Sequence, residues 1–157
     1  MKIEIQPIGF VHAERTNVED DYWGKSHSKI ILAEHLDPTA ISGLEAFSHV
    51  EIIFFFDRVD PTKIVEGARH PRNNQVWPKI GIFAQRGKNR PNRLGSTICK
   101  IHRVAGRELE VEEFDAIDGT PIIDLKPVMQ EFLPREDILQ PSWATELMAD
   151  YWKEADA

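Results

Sequence analysis

Short strand patterns separated by turn signals run along most of this chain, and they limit the folds available to it. Alternating apolar and β-branched residues predict strands near Ile3–Ala13, Lys29–Ala33, Val50–Phe56, Lys79–Ala84, Ser96–Val104, Glu108–Phe114 and Thr120–Leu125. Ala105-Gly106 and Asp118-Gly119 stand between strand patterns, where glycine suits a hairpin turn. Consecutive strands joined by turns are typical of antiparallel sheets, so we predict a mainly β fold, a small antiparallel β-barrel with peripheral helices and no Rossmann sheet.

Helical patterns are confined to two segments. Asp37 is suited to cap a short helix over Pro38–Phe47, because its side chain can accept a hydrogen bond from the first turn. Ser142 opens the second pattern, which predicts a helix over Ser142–Ala155. The apolar stripe of that helix is Trp143, Leu147, Tyr151 and Trp152. We expect the stripe to pack against the barrel or against a partner subunit.

Length and composition predict one domain covering residues 1–157, since 157 residues with 41% hydrophobic side chains can bury a single core. Cys99 is the only cysteine in the sequence, which excludes a disulfide framework and a multi-cysteine zinc site. The N-terminus lacks the apolar region of a secretory signal, and the apolar run Ile52–Phe56 is too short to span a bilayer. These features predict a cytoplasmic protein without a membrane partner.

Charge is distributed unevenly along the sequence. Residues 67–107 contain 10 Lys or Arg and no Asp or Glu, whereas the rest of the chain holds the other 9 cations and all 26 acids. A basic face on a protein of net charge −7 would steer a polyanion or a phosphate-bearing ligand to one surface. The alternative is that these cations are scattered over a solvated surface.

The basic segment includes Arg86-Gly-Lys-Asn-Arg-Pro-Asn-Arg-Leu-Gly-Ser96. Pro91 fixes its own φ and biases Arg90 toward extended conformations, so the chain is expected to turn sharply there. Arg86, Arg90 and Arg93 would then present planar guanidiniums to a carboxylate or a phosphate. A hairpin loop with solvated arginines is the other interpretation.

Three aspartates follow in Asp115-Ala-Ile-Asp-Gly-Thr-Pro-Ile-Ile-Asp-Leu-Lys-Pro127. Carboxylates beside an arginine-rich loop either form structural ion pairs or bind the hydroxyl and amino groups of a ligand. We predict a structural pair between Asp124 and an arginine. For Asp115 and Asp118 we predict contacts with a ligand.

Common catalytic motifs are missing: the sequence has no Rossmann glycine fingerprint, P-loop, hydrolase elbow or His-Glu-x-x-His zinc motif. The six histidines show no metal-ligand spacing, so no metal is predicted. His49 fits a hydrogen-bonded core or turn residue, and His102 is placed to face the basic surface. Tyr22-Trp23-Gly24 is either a hydrophobic plug or a platform on which a base stacks. Cys99 fits an inert strand residue.

Four sequence blocks carry a resemblance to a known family. They are Pro7-Ile-Gly9, Gly43-Leu-Glu-Ala-Phe-Ser-His49, Phe83-Ala-Gln-Arg-Gly-Lys-Asn-Arg-Pro-Asn92 and the segment from Asp115 to Pro127. In order and spacing, over residues 4 to 134, they resemble the TsaA-like family, which includes the tRNA N6-threonylcarbamoyladenosine methyltransferases. The resemblance implies a β-barrel enzyme, usually a homodimer, that binds S-adenosylmethionine and methylates the modified adenosine next to the anticodon of tRNA.

The resemblance also implies site residues by position. The residues that would hold S-adenosylmethionine are Tyr22, Trp23, Gly24, Asp57, Arg58, Arg86, Ser96, Asp115, Ala116, Ile117 and Asp118. Those that would contact tRNA are Lys88, Arg90, Asn92, Arg93 and Lys100. A carboxylate near the transferred methyl group, Asp118 or Asp115, would accept a proton late in the transfer.

Several positions depart from the family pattern. Arg93-Leu94 stands where the tRNA-modifying relatives tend to have Pro-Ile, and Val128 where they have Tyr. Asp57-Arg58 replaces a frequent His-Gln pair, and Tyr22-Trp23-Gly24 replaces a Pro-Arg-Gln-like triplet. Some relatives also carry a C-terminal domain thought to help grip tRNA. Two alternatives stay open: a non-catalytic module that binds S-adenosylmethionine or RNA, and a methyltransferase that acts on a small molecule.

Overall fold

The computed structural model describes residues 1–156. Within them the strands are β1 Gly9–Ala13, β2 His27–Leu32, β3 His49–Phe55, β4 Ala68–Arg69, β5 Ile80–Gly81, β6 Leu94–Ala105, β7 Glu108–Glu112 and β8 Pro121–Pro127. A closed barrel forms in the order β1-β2-β7-β6-β3-β8, and β4 pairs separately with β5. Every neighbouring pair in the barrel is antiparallel. The predicted antiparallel β-barrel is therefore confirmed.

Helices in the described residues are short, and both predicted helices are shorter than expected. They are the single α-helix α1, Ser142–Leu147, and 3-10 turns at Pro38–Ile41, Leu44–Ala46, Pro61–Lys63, Pro71–Asn73, Ile82–Ala84 and Gln130–Phe132. None of these helices among residues 1–156 has the length and apolar character needed to cross a membrane.

The physical causes of the two shortened helices differ. Asp37 does act as a cap, since its Oδ1 accepts from Thr39 N at 2.9 Å. Gly43, at a φ of 97°, then interrupts the segment and divides it into two 3-10 turns. The C-terminal helix ends at Leu147, where the hydrogen bonds change to three-residue turns such as Ala149 N to Glu146 O and Tyr151 N to Met148 O. The chain then runs beside residues 22–24, whose backbone N–H groups donate to its carbonyls.

Two predicted strands are also shorter in the structure. The first begins only at Gly9, and the alternation before it buries no face, since Ile3 is 76% exposed and Ile5 is 55% exposed. The predicted strand over residues 79–84 reduces to β5, because a 3-10 turn begins at Ile82. Alternation of apolar residues signals a strand only where a second layer covers one face.

The core lies inside the barrel and is dominated by the inward faces of β3 and β7. Val50, Ile52 and Phe54 alternate with half-buried residues along β3. The rings of Phe54 and Phe114 meet edge to face with centroids 5.1 Å apart, a favourable aromatic geometry. A Cβ at Gly95 would overlap the Phe54 ring, so the glycine of the Arg-Pro-Asn block is needed for this packing.

Antiparallel pairing places the candidate site residues at one end of the barrel. The ends of β1, β3 and β7 meet the starts of β2, β6 and β8 there. The loop after β1, the segment before β6 and the connection between β7 and β8 all leave the barrel at this point. We refer to it as the loop end.

Candidate functional site at the loop end of the barrel

Asp115 is held at the loop end by hydroxyl groups from two different elements. It follows β7 after Glu113, whose φ of 59° ends the extended conformation. Thr97 Oγ1 donates to Asp115 Oδ1 at 2.5 Å, and the Tyr151 hydroxyl donates to Asp115 Oδ2. Since an ionised carboxylate offers about four acceptor positions, capacity remains for a hydroxyl or amino group of a ligand.

The Tyr151 hydroxyl is a permanent donor in this arrangement. Burial raises the pKa of Tyr151, and the negative charge of Asp115 raises it further. The positive charges of Arg86 and Arg72 lower the pKa of Tyr151, but their effect is smaller than that of burial and of Asp115. Tyr151 therefore stays protonated across the physiological range, and its proton points at Asp115.

Arg86 and Ser96 lie beside this carboxylate. Arg86 is exposed, and its guanidinium donates to the backbone carbonyl of Ser96. Ser96 Oγ donates to Glu51 Oε1 on the neighbouring strand at 2.8 Å. Because Ser96 precedes Thr97, a continuous chain of contacts joins Arg86 to Asp115. The structure thus brings three of the predicted cofactor residues together.

Asp118 belongs to the same connection between β7 and β8 but meets different partners. Its Oδ1 accepts from the backbone N of Ala13 at 3.1 Å, and its own backbone N donates to Arg15 O at 2.8 Å. Gly119, at a φ of 82°, completes the turn. Asp118 therefore ties the end of β1 to the start of β8. Ala116 and Ile117, between the two aspartates, are buried.

The predicted pair Asp57-Arg58 lies at the rim of the loop end. Both residues are exposed. Arg58 donates to Thr16 O at 3.2 Å and to Asp118 O at 3.4 Å. Arg58 therefore links the end of β3 to the loop after β1 and leaves Asp57 facing solvent.

Residues 22–24 place two aromatic side chains in different environments. Trp23 is 4% exposed, and the Arg15 guanidinium carbon lies 3.8 Å from its ring centroid. Tyr22 is 42% exposed at a φ of 68°. Of the two interpretations drawn from the sequence, the plug describes Trp23, and only Tyr22 presents an open ring.

Residues 150–154, which we call the C-terminal strap, run alongside this loop. Tyr22 N donates to Asp150 O at 3.2 Å, Trp23 N to Tyr151 O at 2.8 Å, and Gly24 N to Lys153 O at 3.0 Å. A Cβ on Gly24 would overlap the carbonyl oxygen of Trp152. The close approach therefore requires glycine at this position.

The basic segment divides into cations with different partners. Arg72, Lys100 and Arg103 lie within 4.0 Å of carboxylates. The guanidiniums of Arg69, Arg86, Arg90, Arg93 and Arg107 donate to backbone carbonyls. Lys79 and Lys88 complete the ten, and Asn92 in the same segment is exposed. Several predicted RNA contacts thus also stabilise the fold.

One prediction from the sequence is wrong. Asp124 pairs with Lys126 at 3.1 Å and not with an arginine. Both side chains project from the outer face of β8, where residues two apart are neighbours. His102 likewise lies beside an acid, with Nδ1 3.3 Å from Glu112. His49 is exposed, with Nδ1 2.6 Å from Ser48 Oγ. Cys99 is buried, and this burial raises the pKa of its thiol, as expected for an inert residue.

Sequence reasoning missed Thr97, Tyr151, Arg15 and Arg72 as site residues. Thr97 stands in a strand pattern, and the sequence places Tyr151 only in an apolar stripe. Arg72 makes a bidentate pair with Asp21, at 3.1 and 2.9 Å, and so fixes the loop that carries Tyr22. The one sequence signal for Tyr151 is that it carries the only hydroxyl in an otherwise apolar stripe.

Of two concavities on the molecule, one lies away from the loop end and the other reaches it. A groove of about 430 Å³ at the opposite end is lined mainly by apolar residues, including Ile8, Leu32 and Phe47. A shallower one of about 560 Å³ follows the outer wall of β1 and β2 as far as Asp118. Among residues 1–156, no three His, Cys, Asp or Glu side chains are grouped to hold a metal ion. Convergent polar groups, and not cavity volume, therefore define the candidate site.

Comparison with known proteins gives consistent matches. The family model described as the tRNA-methyltransferase O N-terminal domain matches residues 10–132. A human tRNA (adenine(37)-N6)-methyltransferase is 34% identical over 102 residues, which cover 65% of this chain and 23% of the human protein. A probable S-adenosyl-L-methionine-binding protein of Pyrococcus abyssi is 32% identical over 138 residues, covering 85% of this chain and 72% of that protein.

Solved structures match the fold. A crystal structure of TrmO from Pseudomonas aeruginosa has a TM-score of 0.66 at 23% identity, covering 90% of this chain and 64% of that one. A second crystal structure of TrmO has a TM-score of 0.69 at 23% identity. The chain spans about a quarter of the length of the human methyltransferase and less than two thirds of these two crystallised chains.

Proposed function

Because this chain belongs to the tRNA-methyltransferase O N-terminal domain family, we propose that it is an S-adenosylmethionine-dependent methyltransferase acting on the N6-threonylcarbamoyladenosine of tRNA near the anticodon. The observation that carries the proposal is the chain of contacts from Arg86 through Ser96 and Thr97 to Asp115. All four residues lie inside the matched segment. Methylation of tRNA would place the protein in the cytoplasm.

The residues at the loop end fit the groups that S-adenosylmethionine carries. The exposed Arg86 guanidinium suits its carboxylate, and Asp115 suits its amino or hydroxyl groups. When bound, S-adenosylmethionine supplies an electrophilic methyl group on a sulfonium. The protein contributes mainly alignment of the acceptor nitrogen with that methyl group, which can lower the barrier by several kcal/mol, roughly 7–11 in favourable cases.

Asp115 is the better of the two candidate proton acceptors. The acceptor nitrogen of a carbamoylated adenosine is a weak nucleophile. It must lose its proton as the new N–C bond forms and the S–C bond of the sulfonium breaks to leave a neutral thioether. Asp118 Oδ1 accepts a hydrogen bond from the Ala13 backbone N–H, so Asp118 has a structural role in holding the end of β1. Asp115 also accepts two hydrogen bonds, but it is joined to Arg86 through Ser96 and Thr97, where the cofactor is proposed to bind. We therefore assign to Asp115 the proton that leaves the nitrogen as the methyl group moves to it.

The direct test is product analysis of tRNA. Purified protein, S-adenosylmethionine and tRNA that carries N6-threonylcarbamoyladenosine are incubated, and the digested nucleosides are analysed by mass spectrometry. We expect one added methyl group on that nucleoside. Cofactor binding without methylation of any tRNA nucleoside would contradict the proposal. It would favour a binding protein, as the names of the archaeal relatives suggest, or a small-molecule methyltransferase.

Cofactor binding is expected to need no metal and to depend on Arg86. Calorimetric titration in EDTA should show heat of binding for the wild-type protein. Arg86→Ala should weaken affinity about tenfold or more, because a charge-assisted hydrogen bond is lost. Arg135→Ala is the matched control, since Arg135 is exposed on the segment after the matched domain. Equal affinities for the two variants would remove Arg86 from the cofactor site.

We also propose a homodimer. The outer wall of the barrel exposes Phe10 (44%) and Ile98 (47%), and the segment after β8 exposes Phe132 (87%) and Leu139 (93%). These side chains could be buried in a subunit interface, and the resemblance to a family of homodimers supports the proposal. Light scattering at tens of micromolar protein should return twice the 18.0 kDa of one chain. A mass near 18.0 kDa would contradict the dimer.

A further inference from the structure

From the contacts of the C-terminal strap we infer that Tyr151 is a positioning residue of the cofactor site, holding the Asp115 carboxylate, and that the strap forms one wall of that site. The inference rests on the proposed function and extends it to residues outside the matched domain. The family model ends at residue 132, so family membership says nothing about residues 150–154.

The first step is the geometry at Asp115. Its two carboxylate oxygens accept hydrogen bonds from different directions, one from Thr97 on β6 and one from Tyr151 on the strap. Two donors on separate elements fix both the position and the rotation of a carboxylate, whereas one donor leaves rotation free. Tyr151 itself is half-buried, and its ring meets Trp152 edge to face at 5.0 Å.

The second step is the loop that the strap orders. The backbone N–H groups of Tyr22, Trp23 and Gly24 all donate to strap carbonyls. Lys25 forms an ion pair with Glu154 at the end of the same contact. The strap therefore holds the loop in one conformation. Tyr151 links this loop to Asp115, because its carbonyl accepts from Trp23 N and its hydroxyl donates to Asp115.

The C-terminal strap could either line the cofactor site as a wall or fill it as an obstruction. A strap that occupied the cofactor position would have to leave before binding, breaking three backbone hydrogen bonds and exposing Trp23. A strap that forms a wall stays in place, and Asp115 keeps acceptor positions for the ligand. Preorganised contacts of this kind favour binding because the ligand does not have to order them. The extent of backbone pairing favours the wall.

The experiment is a calorimetric titration of the full chain with S-adenosylmethionine, comparing wild type with Tyr151→Phe. This substitution removes the hydroxyl and keeps the ring. Affinity should fall about tenfold, the usual scale for a lost hydrogen bond to a charged group. Arg135→Ala is again the control, because this exposed residue lies outside the strap. The control should bind like wild type.

A double-mutant cycle separates positioning from a general loss of structure. If Tyr151 acts through Asp115, Tyr151→Phe should change affinity less than about twofold when Asp115 is already alanine, which removes both acceptor oxygens. Unfolding midpoints of all variants are measured in parallel. A tenfold loss that persists in the Asp115→Ala background would overturn the positioning role, even though Tyr151 would still matter for binding.

A second variant moves the strap without touching Tyr151. Gly24→Ala places a Cβ against the Trp152 carbonyl, so the strap must shift, and affinity should fall as in Tyr151→Phe. Tighter binding by either variant would show that the strap obstructs the site, and unchanged binding by both would show that it lies outside it. Either result overturns the inference. If the wild-type protein itself binds no S-adenosylmethionine, the proposed function fails instead.

Discussion

Replacing Asp115 by asparagine is expected to slow methyl transfer about 100-fold or more, within the range by which a positioned general base accelerates a reaction. Asparagine keeps the size of the side chain and one acceptor oxygen, so the bond from Thr97 or the one from Tyr151 survives. What disappears is the negative charge and the ability to take a proton from the acceptor nitrogen. The measurement is the single-turnover rate, followed by mass spectrometry of the tRNA nucleosides.

Two matched aspartate variants make this result specific. Asp118→Asn retains an oxygen that can accept from Ala13 N, so its rate should fall less than about tenfold. Asp124→Asn should react at the wild-type rate, because Asp124 pairs with Lys126 on the outer face of β8. A larger loss in Asp118→Asn than in Asp115→Asn would reverse the assignment of the proton acceptor. Equal rates for all four proteins would mean that no carboxylate takes part.

The barrel was predictable from the sequence because its signals are local. Alternation along residues 49–55 reports an inward and an outward face, and Gly106 at a φ of 58° supplies the turn between β6 and β7. Asp37 as a cap depends on two residues only. The predicted strand over residues 3–8 and the predicted helix over residues 148–155 do not form. Both segments have the apolar periodicity of the predicted element, but no neighbouring element covers their apolar faces in the expected way.

The site was only partly predictable because its contacts join distant parts of the chain. Arg86 and Ser96 are ten residues apart and lie in one motif, so a resemblance was able to place them together. Tyr151 and Asp115 are separated by 36 residues, and nothing in an apolar stripe indicates which hydroxyl meets which carboxylate. The plug formed by Trp23 likewise depends on Arg15 and on the strap.

Affinity for tRNA is expected to fall roughly 100-fold between about 50 and 200 mM salt, if four cations of the basic segment contact phosphates. The proposed four are Lys88, Arg90, Arg93 and Lys100. Each contact releases condensed counterions and contributes a little under one unit to the slope of log affinity against log salt. A filter-binding salt series on wild-type protein measures this slope directly.

The environment of each cation predicts how much its removal flattens the slope of log affinity against log salt. Lys88→Ala should flatten the slope by nearly one unit, because Lys88 lies in the arginine-rich motif on the loop before β6. Lys100→Ala should have a smaller effect, since Glu112 lies 3.9 Å away and already offsets part of its charge. Lys126→Ala is the control, as its charge faces Asp124 at 3.1 Å on the wall of β8. Binding no stronger than that of an acidic control protein, or a flat salt series, would show that the basic segment is a solvated face. The charge asymmetry of the sequence would then have no role in recognition, and a small-molecule acceptor would become the better assignment.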